Sequence, residues 1–319
     1  MSDDLQRRQD VWTSYWRSGA AHSCGTSYGE RYGGAISAFW EQVSRDTPEG
    51  ARLLDLATGS GAIPRLWRGW RTVDAWDAVD LSTEPSPWMA AAGGVRFHGG
   101  VRTEALPFDD ATFDLATSQF GLEYCELDRA VPEMLRVLRP TGAVALVLHH
   151  AGSRPVTLAR AELEQLDWAL GADGLVEACA AMLGPAVEAA TPEGRARLAG
   201  DPKAESARLR FNAAQVAVRE RVAGSEAAGM LVELRDTVGG LVQLAMKQGE
   251  VRARAALDGW TQALRDHRWR QDELCAHALG EPAAQALAAS LQASGRRVVL
   301  ETLSDGPHLM GWTLRATAG

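Results

Sequence analysis

An α/β fold wound on a mostly parallel sheet is predicted by three features of this 319-residue sequence. Strand-like and helix-like apolar patterns alternate from residue 51 to residue 150, the arrangement that gives parallel strands joined by crossover helices. The apolar run Leu53-Leu54-Asp55-Leu56 opens directly into the glycine turn Ala57-Thr58-Gly59-Ser60-Gly61. A second apolar run ends in a carboxylate, Val79-Asp80-Leu81-Ser82, about 25 residues further on, close to the spacing of about 20 that brings an acid to the ribose in nucleotide-binding sheets.

Strands are expected at 51–57, 73–80, 94–98, 113–118 and 142–149, each an apolar run bounded by turn residues. The C-terminal runs 296–303 and 308–316 flank Ser304-Asp305-Gly306-Pro307 and read as a hairpin. Between 151 and 295 lies a segment rich in Ala, Leu, Glu and Arg, far longer than the dozen or so residues a crossover takes. Its helical spacing and the start signals Thr191-Pro192-Glu193 and Asp201-Pro202 predict six or seven helices. Residues 1–50 carry Trp12, Tyr15, Trp16, Tyr28, Tyr32, Phe39 and Trp40 around a glycine- and serine-rich loop that contains His22. Rings at this spacing either pack on the core or fold over a ligand as a lid.

The glycine turn supplies the first chemistry. Without a Cβ the backbone comes within contact distance of a nucleoside, and Asp80 lies where ribose hydroxyls would be met. Dinucleotide sites use G-x-G-x-x-G, with the helix N-terminus facing a diphosphate. Here the third glycine is replaced in Gly59-Ser60-Gly61-Ala62-Ile63-Pro64, and Asp55 precedes the loop. A carboxylate there repels a diphosphate and favours a cationic cofactor.

At this point the sequence resembles the class I S-adenosylmethionine (SAM) dependent methyltransferases. The resemblance also rests on Leu106-Pro107-Phe108-Asp109-Asp110-Ala111-Thr112-Phe113-Asp114, similar to the family's segment before the fourth strand. A third match is Glu133-Met134-Leu135-Arg136-Val137-Leu138-Arg139-Pro140-Thr141-Gly142, similar to its turn into the fifth strand. It covers residues 50–150 closely and the last 25 loosely. The resemblance implies a seven-stranded Rossmann-like sheet with the last strand reversed, beside which the helical segment 151–295 reads as a large insertion between strands five and six. It divides the chain into an N-terminal aromatic helical lid (1–50), a SAM-binding core (51–150), an insertion serving as cap or dimerisation element (151–295) and a C-terminal hairpin completing the sheet (296–319).

The resemblance further implies that Asp55, Ala57, Gly59 and Gly61 line the methionine end of SAM, that Asp80 accepts from the ribose, and that Leu81 packs on the adenine. Thr103, Glu104, Ser118 and Gln119 complete the cofactor set, with Arg102 standing where the family commonly has an adenine-binding aspartate. Tyr15, His22, Tyr28 and Tyr32 are substrate candidates through the lid. The expected reaction is methyl transfer to an oxygen or nitrogen of a small-molecule acceptor, a secondary metabolite or a quinone-like compound, leaving S-adenosylhomocysteine and using no metal. The alternatives are methylation of a protein or tRNA, and a SAM-binding scaffold without transfer.

Catalytic candidates come from position and pKa. The fifth strand ends in His149-His150, and imidazole at the carboxyl edge of a sheet suits proton removal at neutral pH. Adjacent strand residues point to opposite faces, so one of the two is expected to face the site. Tyr124 and Glu123, after the fourth strand, are the nearest alternatives.

Charge and composition narrow the partners. A net charge of -8 disfavours a partner bound through phosphates, nucleic acid included, and 151–290 carries about -3. The four cysteines form no C-x-x-C pair, which points to neither a zinc site nor a disulfide framework. No apolar signal core and no run of about 18 apolar residues is found, so a cytoplasmic chain without a membrane span is expected.

Overall fold

The computed structural model describes residues 3–22, 33–71 and 75–319. The chain divides into two compact units, Met1–Thr157 with Leu274–Gly319, and Leu158–Glu273.

Among the described residues the first unit is built on seven strands: β1 (Arg52–Leu56), β2 (Ala75–Asp80), β3 (Val95–Gly99), β4 (Phe113–Gln119), β5 (Leu138–Leu148), β6 (Arg296–Asp305) and β7 (His308–Ala318). Their order in the sheet is β3-β2-β1-β4-β5-β7-β6. The pairs from β3 through β5 are parallel, and β7 runs antiparallel to both β5 and β6. The expected reversed last strand is therefore present. The hairpin closes on Gly306-Pro307, between the paired Asp305 and His308.

Strands covered on both faces need apolar residues at successive positions, and alternation decides which layer each one joins. Leu53, Leu115, Ala145 and Val147 face a cluster with Ile36, Trp40 and Val43 of α2 (Gly34–Asp46) and Ile63 and Trp67 of α3 (Ala62–Trp67). Leu54, Leu56, Ala116, Val144, Leu146 and Leu148 face the opposite layer. That layer holds Met134 and Val137 of α5 (Leu127–Val137, the short α4 being Pro87–Ala91 between β2 and β3) and Leu287 and Leu291 of α12 (Glu281–Ala293). The aromatic residues Phe39 and Trp40 of the N-terminal segment thus belong to a core-packing helix, whereas α1 (Asp3–Arg17) has a different task described below.

Arg136 of α5 explains why the two motifs flanking this region occur together. Its guanidinium donates to Glu133 Oε1 at 2.7 Å, to Asp110 Oδ1 at 2.7 Å and to the carbonyl oxygens of Phe108 and Leu106. Glu133 in turn accepts the Leu106 amide at 2.7 Å. Arg136 and Glu133 together therefore staple the Leu106–Asp110 turn to the helix before β5.

Seven helices separate β5 from β6: α6 (Arg154–Leu170), α7 (Leu175–Ala189), α8 (Pro192–Leu198), α9 (Pro202–Val222), α10 (Ala228–Gln248), α11 (Glu250–His277) and α12. The start signals act as caps, with Thr191 accepting from the Gly194 amide and Asp201 from the Lys203 amide. The compact helical unit runs over 158–273, while α12 packs in the core of the first unit. Within the helical unit Leu231, Leu234, Val238, Leu241 and Ala245 form the buried stripe of α10, packed with Leu175, Cys179 and Leu183 of α7 and Val218 of α9. Within α11, Arg268 pairs with Asp167, and His267 Nε2 lies 2.9 Å from Glu162 Oε2. By length and composition Arg154–Ala189 is apolar enough to cross a membrane. In the structure it is two helices, α6 and α7, whose leucines join the helical core.

Candidate active site

A cavity of about 300 Å³ opens in the first unit where β1, β2 and β4 end. Its size falls at the lower bound, roughly 300 Å³, of pockets that hold small molecules. Asp55, Ala57, Gly59, Asp80, Leu81, Thr103, Glu104 and Gln119, all expected in the cofactor set, line it.

The glycine turn is held by the acid it sits beside. Gly59 donates its amide to Asp80 Oδ2 at 2.7 Å, and Ser82 donates its amide to Oδ1 at 2.8 Å. Each carboxylate oxygen thus accepts one backbone N–H and keeps a second lone pair for a ligand hydroxyl. Burial pushes the Asp80 carboxyl up to about 6. Asp55 accepts from Thr58 at 2.6 Å and from Thr117 at 2.8 Å. Its burial, with the Asp80 charge adding to it, pushes that carboxyl up to about 7. Two acids raised in this way are poised to ionise beside a cation.

Backbone conformation is unusual at the same place. Gly59 has φ 56°, and an added Cβ there would lie 2.7 Å from the Trp16 ring. Ala57 and Phe120, at the ends of β1 and β4, are non-glycine residues with φ 50° and 54°. Such left-handed residues cost about 1–3 kcal/mol each and persist where the surroundings enforce them.

Helix α1 forms one wall. Gln9 donates to the Leu81 carbonyl at 3.1 Å, Thr13 Oγ1 accepts the Thr83 amide at 3.1 Å, and Arg17 pairs with Glu84 at 2.6 Å. Those three side chains recur every four residues and grip the segment after Asp80. The neighbouring stripe Leu5, Arg8, Trp12 and Trp16 faces the cavity, with the two indoles stacked at 5.5 Å. Arg8 donates to the Tyr124 carbonyl at 3.1 Å and lies 3.1 Å from His277 Nε2.

Other expected residues are placed differently. Ser118 is fully buried, donating to the Leu56 carbonyl and accepting the Leu122 amide, and does not line the cavity. Gly61 lies behind the cavity as the left-handed cap of α3, against Met89 and Trp88. Tyr124 and His22 line the cavity, whereas Tyr15 donates its hydroxyl to the His22 carbonyl at 2.9 Å and does not. Tyr28 and Tyr32 lie outside the described residues. Neither histidine at the end of β5 lines the cavity. His149 is fully buried, its Nδ1 2.8 Å from Glu123 Oε1. His150 stacks on Trp312 at 4.4 Å and accepts the Gly152 amide at Nδ1. Glu123 is likewise absent from the lining.

Arg8 and Cys125 are lining residues that sequence patterns did not assign to the site, and Arg102, at the position of the family's adenine-binding aspartate, lines it as well. Arg102 is bracketed by Glu104 at 3.4 Å and Glu126 at 3.1 Å. Burial pushes the Cys125 thiol up to about 12. The 8/12/16 spacing along α1 is the one sequence signal that could have placed Arg8 beside the tryptophans.

Residues 54–146 match the methyltransferase domain family. The malonyl-[acyl-carrier protein] O-methyltransferase of Pseudescherichia vulneris is 36% identical over 109 residues, covering 33% of this chain and 41% of that protein. The ubiquinone/menaquinone biosynthesis C-methyltransferase UbiE of Idiomarina loihiensis is 35% identical over 136 residues, covering 38% of this chain and 52% of that one. The chain thus spans about two fifths to one half of the length of these relatives. The solved YcgJ protein of Bacillus subtilis is 27% identical with a TM-score of 0.33, over 41% of this chain and 57% of that chain.

Proposed function

We propose that this chain, whose residues 54–146 belong to the class I SAM-dependent methyltransferase family, moves a methyl group from SAM to an oxygen or nitrogen of a small-molecule acceptor. The observation that carries the reading is the joined pair of Gly59 and Asp80 on the cavity wall. The carboxylate has lone pairs for the ribose hydroxyls, and the glycine turn leaves room for the nucleoside.

The cofactor supplies the electrophile, a methyl group on a sulfonium. The protein's part is position and electrostatics. Asp80 holds the ribose, Asp55 and Asp80 provide negative charge beside the cationic end, and Trp12, Trp16 and Phe120 exclude water from it. A nucleophile held about 3–3.5 Å from the methyl carbon needs little else. Where the acceptor must lose a proton, Tyr124 is the expected group that lines the cavity, and His22, also on the wall, can bind or orient the acceptor. The helical segment is part of the proposal as a cap over the acceptor, alongside its alternative role in a homodimer. A drop in hydrogen exchange confined to 158–273 on adding acceptor to the SAM-bound chain is the result the cap reading expects, and unchanged exchange removes it.

The test is calorimetric titration with SAM and S-adenosylhomocysteine, followed by transfer assays with radiolabelled SAM. The acceptors are quinols such as demethylmenaquinol, small phenols and amines, malonyl-acyl carrier protein, and protein and RNA fractions. Binding with transfer to small molecules is expected. Similarity to the malonyl-[acyl-carrier protein] O-methyltransferase favours an acceptor tethered to a carrier as the second reading. Binding without any transfer would leave a scaffold.

A further inference from the structure

We infer that the buried pair His149–Glu123 is a positioning element that fixes the loop 120–124 against the cofactor turn, and that neither residue meets the acceptor; the inference rests on the cofactor reading above. Glu123 Oε1 accepts from two donors of the same residue, the His149 amide at 2.8 Å and the ring Nδ1 at 2.8 Å. Both side chains are wholly excluded from solvent, and Glu123 Oε2 has no hydrogen-bond partner among the described residues.

An apolar pair would fill this space without the desolvation that a buried carboxylate and imidazole incur. What the polar pair adds is direction. With its proton on Nδ1 the imidazole is locked in plane, and its face stacks on Phe120 at 4.3 Å and 24°. Its edge meets Tyr124 at 6.0 Å and 85°. Phe120 and Tyr124 are cavity residues, and Phe120 is held at φ 54°. Between them Gly121 packs so closely on β1's end that an added Cβ would lie 2.6 Å from the Ala57 Cβ. Ala57 leads into the turn at Gly59. A continuous line of contact therefore runs from the buried pair through Phe120 and Gly121 to the cofactor turn, and loosening the pair loosens the turn.

S-adenosylhomocysteine is the probe, because its binding needs no acceptor. Glu123→Gln keeps an oxygen for both donors and is expected to bind within about twofold of the native chain. His149→Phe keeps the stack but leaves the carboxylate buried with one donor, and affinity is expected to fall about tenfold or more. The double variant His149→Phe/Glu123→Gln removes the stranded charge, and affinity is expected to return to within about threefold. Native affinity in His149→Phe, or no recovery in a double variant that melts at the native temperature, overturns the inference. A second arm is independent of folding of the variants and of the cofactor. Nitrogen-15 NMR of the histidine-labelled native chain is expected to show His149 as the Nδ1–H tautomer with slow exchange, and an Nε2–H tautomer overturns the pair's role. Failure of the native chain to bind the probe would sink the cofactor reading, and the NMR arm still decides the pair.

Discussion

Gly59 and Asp80 are joined by a 2.7 Å hydrogen bond from the glycine amide to the carboxylate, so the turn proposed to admit a nucleoside and the acid that would hold its ribose form one unit. Asp80→Ala is therefore expected to lose ligand contacts and turn geometry together. Affinity for S-adenosylhomocysteine should fall by the equivalent of roughly 1.5–3 kcal/mol, measured by calorimetry. Unchanged affinity would remove Asp80 from the site.

Trp16 adds a second expectation at the same turn. Gly59→Ala forces a Cβ to within 2.7 Å of the indole at φ 56°, and left-handed backbone alone costs a non-glycine residue about 1–2 kcal/mol. Melting temperature and ligand affinity should both drop. Combining it with Trp16→Ala should lower the melting temperature by less than the sum of the two single changes, because the clash is gone while the backbone strain remains.

Asp55 and Asp80 set a pH window. Their carboxyls are raised to about 7 and about 6 in the folded chain by burial, against about 4 unfolded. The folded state then binds more protons than the unfolded one between those values. The stability these groups contribute is full below about pH 4, is lost as pH rises toward 7, and is level above it. Denaturant titrations of the ligand-free chain at pH 4.5 and pH 8 should show this decline, and Asp55→Asn should flatten it. Affinity for cationic SAM should rise over the same window more steeply than affinity for S-adenosylhomocysteine, which lacks the sulfonium charge.

His150 and Tyr124 divide the catalytic expectation. His150→Ala, away from the cavity, should leave cofactor affinity and turnover unchanged. Tyr124→Phe keeps the aromatic contacts and removes the hydroxyl; where the acceptor needs deprotonation, turnover should fall about 10²–10⁴-fold with SAM affinity nearly intact. Equal turnover of native and Tyr124→Phe chains would indicate an acceptor whose nucleophile is already free.

Arg136 gives a stability test remote from the cavity. Losing its contacts to Glu133, Asp110 and two carbonyl oxygens should cost about 1–2 kcal/mol after discounting for its partial exposure. Arg136→Lys, a point charge without the fork, should not restore it.

The parts of this molecule legible in its sequence are those fixed by local chemistry. The turn at Gly59 and Gly61, the strand-end acid Asp80 and the caps Thr191 and Asp201 each depend on a few adjacent residues. The Arg136 motif was visible as a pattern, yet its staple on Leu106 and Phe108 needed the fold. His149 and His150 show the limit of alternation, which says that two neighbours face opposite ways but not what covers each face. Glu123 and Phe120 bury one and Trp312 covers the other. Arg8 became a wall residue only because Gln9, Thr13 and Arg17 dock α1 on residues 81–84, a tertiary choice that helical periodicity does not encode.

The thiol of Cys125 lines the cavity proposed to hold SAM, an alkylating reagent. Burial pushes it up to about 12, so the thiolate, the nucleophilic form, is scarce at neutral pH. A SAM molecule bound in this cavity would therefore meet the sulfur as an unreactive thiol, and intact-mass measurement after long incubation with SAM should find the protein unmodified there.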